Sequence, residues 1–121
     1  MIEHRQDRLT ALQLYFPGAS RARVTHFWHH LSAPALAQHL LKVAQKAKIE
    51  QVMLKPISAG YLPGQRLSHH HPELGDMRHP QCLELLDTED KLRAFLRDHA
   101  DELRKVRAVL LLCELPLSDA S

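Results

Sequence analysis

Cysteine, glycine and aromatic residues are all scarce in this chain of 121 residues, which has two cysteines, four glycines and only 5% aromatic residues. No CxxC pair occurs, so the sequence has neither a dithiol redox motif nor the cysteine spacing of a structural zinc site. There is no GxGxxG or Walker-type loop. The longest apolar run, residues 108–113, is far too short to span a bilayer. The sequence therefore lacks the usual signatures of dinucleotide-binding enzymes, zinc modules and transmembrane segments.

An excess of charge of either sign is also missing. Sixteen Lys and Arg residues stand against 14 Asp and Glu residues, and the two signs alternate along the chain, which leaves a net charge of +2. Nucleic-acid and membrane surfaces require clustered positive charge, so we expect neither partner. The opening residues MIEHRQDRLT are polar, which predicts no signal peptide. We expect a cytoplasmic protein in which Cys82 and Cys113 are small core residues of strands.

Hydrophobic periodicity predicts four strands and two helices within a single domain. Apolar and polar residues alternate in the strands, whereas apolar residues recur every three or four positions in the helices. Ser32 and Thr88 are the expected helix N-caps, and Arg104 and Lys105 are expected to close the second helix. Strands are predicted at 9–18, 49–57, 81–87 and 106–115, helices at 32–47 and 88–105, and tails at 1–8 and 117–121 around a domain at 9–116.

The order of these elements predicts an α+β fold. Two β-α-β units, separated by a long loop at 58–80, predict a ferredoxin-like βαββαβ sandwich: a four-stranded antiparallel sheet with both helices on one face. In the fourth strand Leu110 points to one face and Leu111 to the other, so both faces of the sheet are apolar there. Two helices cover only one face. We therefore expect another copy of the chain to cover the second face.

Three stretches carry a resemblance to a known family. They are the opening LQLYF, the helix-to-strand stretch LSAPALAQHLLKVAQKAKIEQVMLKPISAGY, and LELLDTEDKLRAFL, in which a strand runs directly into a D-[ST]-E helix cap. Across residues 9–116 the chain resembles the PII-like superfamily of trimeric signalling proteins, within it a branch of proteins with a domain of unknown function. The resemblance implies a homotrimer with inward-facing sheets, and a loop after the second strand that reaches a small-molecule effector or a partner protein.

The chain departs from the best-known members of that family where they bind phosphate. Those members bind adenine nucleotides in clefts between subunits, with a glycine-rich loop before the last strand. This chain has ELRKVRAV there, without a glycine, and it lacks the tyrosine-bearing motif of the long loop. The basic residues at this position either meet an anion or complement the dipole of the second helix. The candidate ligand-binding residues are Gly60, Arg66, Arg104, Lys105 and Arg107, and no cofactor is identified.

The long loop contains RLSHHHPELGDMRHP, residues 66–80. Neutral imidazole is a common ligand for zinc, copper and nickel. In an extended backbone His69 and His71 share a side while His70 faces away, and His79 is a further ligand candidate. The candidate metal residues are therefore His69, His71 and His79. The alternative, which we favour, is a mobile recognition arm that binds no metal.

The leading functional hypothesis is a PII-like regulatory protein, a small-molecule-sensing trimer whose loop at 58–80 contacts a ligand or a partner protein. The alternative is a trimer that binds divalent metal through the loop histidines, similar to the cation-tolerance relatives of this fold. We do not predict an enzyme. Both cysteines fall on apolar strands, and Ser68 and His69 are adjacent only in sequence, without a third orienting group.

Overall fold

A computed structural model describes residues 8–18, 35–69 and 79–113. The predicted α+β architecture, with four main strands and two helices, is confirmed. Two short strands were not predicted: they pair antiparallel, so the described part of the long loop folds back on itself. The elements are β1 (Leu9–Pro17), α1 (Leu36–Lys46), β2 (Gln51–Pro56), β3 (Ala59–Gly60), β4 (Ser68–His69), β5 (Pro80–Thr88), α2 (Glu89–Asp98) and β6 (Arg107–Leu112).

The four long strands form one antiparallel sheet in the order β2-β5-β1-β6. β1 and β5 pair along their whole length, from Leu9 opposite Thr88 to Pro17 opposite Pro80. β2 lies at one edge, which suits Pro56 at its end because proline has no backbone N–H to donate to a ladder. β6 lies beside β1 on the other side. The two central strands therefore fix the register of the other two.

One face of the sheet holds the hydrophobic core. Alternate residues of the strands point to this face, and both helices pack against it through one apolar stripe each. Burying large apolar side chains in this way is the main contribution to folding stability. The core residues are Leu12, Leu14, Phe16, Leu36, Ala37, Leu40, Ala44, Ile49, Leu83, Leu85, Leu92, Phe95 and Leu103.

We call the opposite side of the sheet the open face, because both described helices pack on the other side. Residues directly opposite each other in neighbouring strands share a face, so the register defines three rows across it. Met53 and Leu111 on this face are each 46% exposed, whereas Leu110 packs against the core. The rows are Gln51–Leu86–Ala11–Leu111, Met53–Glu84–Gln13–Val109 and Lys55–Cys82–Tyr15–Arg107.

The second helix begins where predicted but ends earlier. The Thr88 hydroxyl accepts a hydrogen bond from the backbone N–H of Lys91 at 3.4 Å, as expected for an N-cap. The prediction that Arg104 and Lys105 close this helix is wrong, because α2 ends at Asp98. The chain leaves the helix there, and β6 begins at Arg107 and pairs with β1. Residues 99–106 form turns instead, and the basic residue in the last helical turn is Arg97.

The first helix begins at the edge of the described residues. Its N-cap is Ala35, and no side chain that the structure describes accepts a hydrogen bond from its first turn, while the predicted cap Ser32 lies outside the described residues. Leu36 and Leu40 are buried as predicted, but Ala47 is the exposed C-cap. Packing of its buried face therefore stabilises this helix.

A buried aspartate stands directly before the cap residue of α2. Asp87, only 5% exposed, accepts hydrogen bonds from the backbone N–H of Glu50 at 2.8 Å and of Thr88 at 2.7 Å. Lys91 faces the same carboxylate at 3.5 Å and donates to the carbonyl of Lys48 at 2.5 Å. The start of α2 is thus tied to the turn between α1 and β2.

Candidate functional site

A cleft of about 450 Å³ opens where the end of β1 meets the turn that precedes β6. We call it the basic cleft, because the described residues that line it include three cations and no carboxylate. Such a concentration of one charge attracts small ions of the opposite sign. Its lining residues are Tyr15, Pro17, Leu62, Pro63, Gln65, Arg104, Lys105, Val106 and Arg107.

The fold brings the three cations together from two adjoining elements. Arg107 is the first residue of β6 and lies directly opposite Tyr15 of β1. Arg104 and Lys105 are exposed in the turn just before it. Had α2 continued to residue 105, these side chains would follow the helical period rather than meet at the strand end. The early end of the helix is thus what places them at the cleft.

Two of the five candidate ligand-binding residues lie apart from the cleft lining. Gly60 belongs to β3, and Arg66 is exposed in the segment between β3 and β4. That segment still reaches the cleft, because Leu62, Pro63 and Gln65 form part of its wall. The described part of the long loop therefore contributes shape and apolar surface to the cleft, while the turn before β6 contributes its charge.

A polar network lies beside the cleft on the open face. The carboxylate of Glu84 accepts a hydrogen bond from Gln13 Nε2 at 3.0 Å and faces Lys55 Nζ at 2.9 Å. The hydroxyl of Tyr15 donates to Gln13 Oε1, also at 3.0 Å. An ionised carboxylate only accepts, so it holds the NH₂ side of the Gln13 amide and leaves the amide oxygen for Tyr15. The charge of the Glu84 carboxylate thus fixes the direction of both hydrogen bonds.

The electrostatics of this network follow from the same contacts. The hydrogen bond from Gln13, followed by that from Lys55, holds the pKa of Glu84 below its ordinary value. The contact with Glu84 raises the pKa of Lys55. Burial raises the pKa of both Tyr15 and Cys82, so these two groups keep their protons at neutral pH. At that pH the network therefore consists of one ion pair and neutral hydrogen-bonding groups.

Of the three candidate metal ligands, the structure describes His69 and His79, and these two differ in burial. His69 is exposed on β4, and His71 lies outside the described residues. His79 is only 7% exposed: its Nδ1 is 2.7 Å from Ser68 Oγ, and its Nε2 is 2.5 Å from the carbonyl oxygen of Ile57. A carbonyl only accepts, so Nε2 donates and, in the neutral ring, Nδ1 accepts from the serine. His79 therefore joins β5 to the segment that begins at Ile57.

The described residues give the metal hypothesis no coordination sphere. Among residues 8–18, 35–69 and 79–113, no group of three or more His, Cys, Asp or Glu side chains is placed to hold a metal ion. A site that uses His71 falls outside these ranges, so metal binding by the loop stays a prediction.

Sequence reasoning missed two polar clusters. The carboxylate of Glu102 contacts His39 Nε2 on α1 and, at 3.0 Å, His99 Nδ1 just after α2. The spacing of His99 and Glu102 is visible in the sequence, but the approach of His39 depends on how the helices pack. The network around Glu84 was missed as well. The feature of the sequence that indicates this network is a set of polar residues at the alternate strand positions that do not face the core.

Comparison with known proteins leaves the family open. No family model matches the chain, and no curated protein is significantly similar to it. In the part of the chain that the structure describes, neither helix has the length and apolar character needed to cross a membrane. The chemistry of the basic cleft and of the open face therefore has to carry the functional argument.

The network around Glu84 predicts how stability depends on pH. Because its pKa is lowered by folding, Glu84 contributes stability above the pKa of the unfolded chain, about 4.3. That contribution is lost as the pH falls through the lower folded pKa. Glu84→Gln should therefore destabilise the protein at pH 7 and much less at pH 3, as measured by urea unfolding. Glu50→Gln, at an exposed position, is the control. An equal loss for Glu84→Gln at both pH values would contradict this account.

Proposed function

We propose that this protein is a cytoplasmic regulatory protein of the PII-like kind, a homotrimer that binds a small organic anion in the basic cleft. The observation that carries the proposal is the convergence of Arg104, Lys105 and Arg107 on one cleft whose wall is completed by the segment after β2. Binding of the effector there would be communicated to the loop at 58–80, which contacts a partner protein.

The topology supports a ferredoxin-like subunit. β1 and β5 are each followed by a helix, they lie side by side in the centre of the sheet, and β2 and β6 flank them. Two β-α-β units joined through a long connection give this arrangement when the second strand of each lies at an edge. The connection between β2 and β5 holds β3 and β4, and it is the segment that contributes Leu62, Pro63 and Gln65 to the cleft.

The chemistry of the cleft favours a phosphate or carboxylate group attached to a partly apolar body. Arginine binds such groups with two parallel hydrogen bonds, and lysine adds a mobile point charge. Leu62, Pro63 and Val106 provide apolar wall for the rest of the molecule. The chain has no glycine in the turn that carries these cations, so the cleft holds its anion through side chains rather than through a ring of backbone N–H groups.

The open face supports the homotrimer. Met53 and Leu111 provide exposed apolar surface, and the polar residues between them already satisfy one another. Because Lys55 and Glu84 form an ion pair within the face, a second copy can cover them without leaving either charge unpaired. An antiparallel sheet face that the two described helices leave uncovered is usually covered by another layer. A second copy of the chain is our proposed occupant.

The first prediction from this proposal concerns anion binding. Inorganic pyrophosphate serves as the probe, and calorimetric titration at fixed ionic strength gives its affinity. Arg107→Gln should weaken binding by about tenfold or more, because a hydrogen bond to a charged group contributes roughly 1.5–3 kcal/mol. Arg97→Gln is the matched control, since Arg97 is also exposed but lies in the last turn of α2 and outside the cleft lining. Equal affinities for the two variants would refute the cleft as the binding site.

The second prediction concerns assembly. Leu111 and Leu112 are neighbours in β6 and equally exposed, at 46%, but they point to opposite sides of the sheet. Leu111→Glu places a charge on the open face and should convert the trimer to a folded monomer, because an unpaired charge would otherwise be buried. Leu112→Glu should leave the trimer intact. Sedimentation velocity measures both, with circular dichroism as the test of folding. A wild-type monomer, or dissociation by Leu112→Glu alone, would overturn the proposed interface.

A further inference from the structure

Tyr15 belongs to both of the surfaces described above. Its side chain lines the basic cleft, opposite Arg107 across the β1–β6 pair. Its hydroxyl donates to Gln13 Oε1 at 3.0 Å, on the open face. Because one side chain occupies both places, a ligand packed against it in the cleft restricts the same rotamer that completes the network of the open face. The two surfaces are therefore connected through this side chain, and also through Arg107, which lines the cleft and stands beside Tyr15 on the open face.

The network holds the amide of Gln13 in one orientation. The Glu84 carboxylate, paired with Lys55, fixes the amide of Gln13, and the amide oxygen then requires a donor. Tyr15 provides that donor. If the Tyr15 hydroxyl turns away, a second copy covering the open face buries an amide oxygen without a partner, which is costly. Association therefore selects the rotamer in which Tyr15 donates to Gln13.

The charges on the open face also connect anion binding to association. Among the described side chains of the three open-face rows, Lys55 and Arg107 are positive and Glu84 is negative, which gives these rows a charge of +1. Copies that bring such faces together repel one another. An anion bound at Arg107 in the cleft neutralises the excess charge and removes this repulsion.

We propose that occupancy of the basic cleft by an anion strengthens the association of chains through the open face, with Tyr15 as the residue that couples the two events. The inference rests on the proposed function, because it requires both the anion and the second copy. Coupling is reciprocal, so association tightens anion binding by the same factor that the anion tightens association. Couplings of this kind typically amount to about 5- to 150-fold, and one hydrogen bond with one repelling charge corresponds to the lower end.

The test measures association of the full chain by sedimentation equilibrium, with and without saturating pyrophosphate at constant ionic strength. Wild type should associate about fivefold more tightly with pyrophosphate. Tyr15→Phe keeps the ring in the cleft but removes the hydroxyl. It should bind pyrophosphate within about twofold of the wild-type affinity, yet its association should respond markedly less than that of wild type. Tyr61→Phe is the matched control, because Tyr61 is 65% exposed and outside the cleft lining.

The outcomes separate the inference from the function on which it rests. If wild type neither binds pyrophosphate nor associates, the proposed function fails and the coupling fails with it. If it does both, but pyrophosphate leaves association unchanged, only the coupling is overturned. A Tyr15→Phe variant with the full wild-type response also overturns it, since charge alone would then connect the two surfaces. The coupling is supported if pyrophosphate strengthens the association of Tyr15→Phe less than that of wild type, while Tyr61→Phe keeps the wild-type response.

Discussion

The carboxylate of Glu84 is the one anion among the described side chains in the three rows of the open face, and the order of the polar groups there depends on it. It pairs with Lys55 and fixes the amide of Gln13, which in turn receives the Tyr15 hydroxyl. Without this charge, the amide of Gln13 would have no fixed orientation and Lys55 would lose its partner. The ion pair therefore lowers the cost of covering this part of the open face.

The register of the central strands places this network next to the basic cleft. β1 contributes Gln13 and Tyr15 at alternate positions, so both point to the open face, and β6 places Arg107 opposite Tyr15. The early end of α2 then leaves Arg104 and Lys105 in the turn beside that strand end. A charged cleft and a polar network that spans two rows arise from the same strand pairing. The structure thus places the proposed anion site beside the face that we propose a second copy covers.

Sequence reasoning predicted what depends on local periodicity and chemistry. Alternation gave the four long strands, the apolar stripes gave both helices, and Thr88 marked the start of α2. The end of α2 was predicted too late because Leu103 continues the apolar stripe of the helix. Leu103 is buried, but it lies in the turns that follow α2. The β3–β4 pair has two residues in each strand, too few for any period to show. The network around Glu84 joins residues up to 71 positions apart, so alternation marks its polar residues but only the strand register pairs them.

The central claim is that the open face is the surface through which copies of this chain meet. Hydroxyl-radical footprinting over a range of protein concentrations tests it directly, because it reports which side chains lose contact with water. Met53 lies on the open face and is 46% exposed, while Tyr61 is 65% exposed and lies outside its three rows. As the chain associates, the oxidation rate of Met53 should fall several-fold and that of Tyr61 should stay constant. A Met53 rate that does not change while sedimentation shows association would contradict the account.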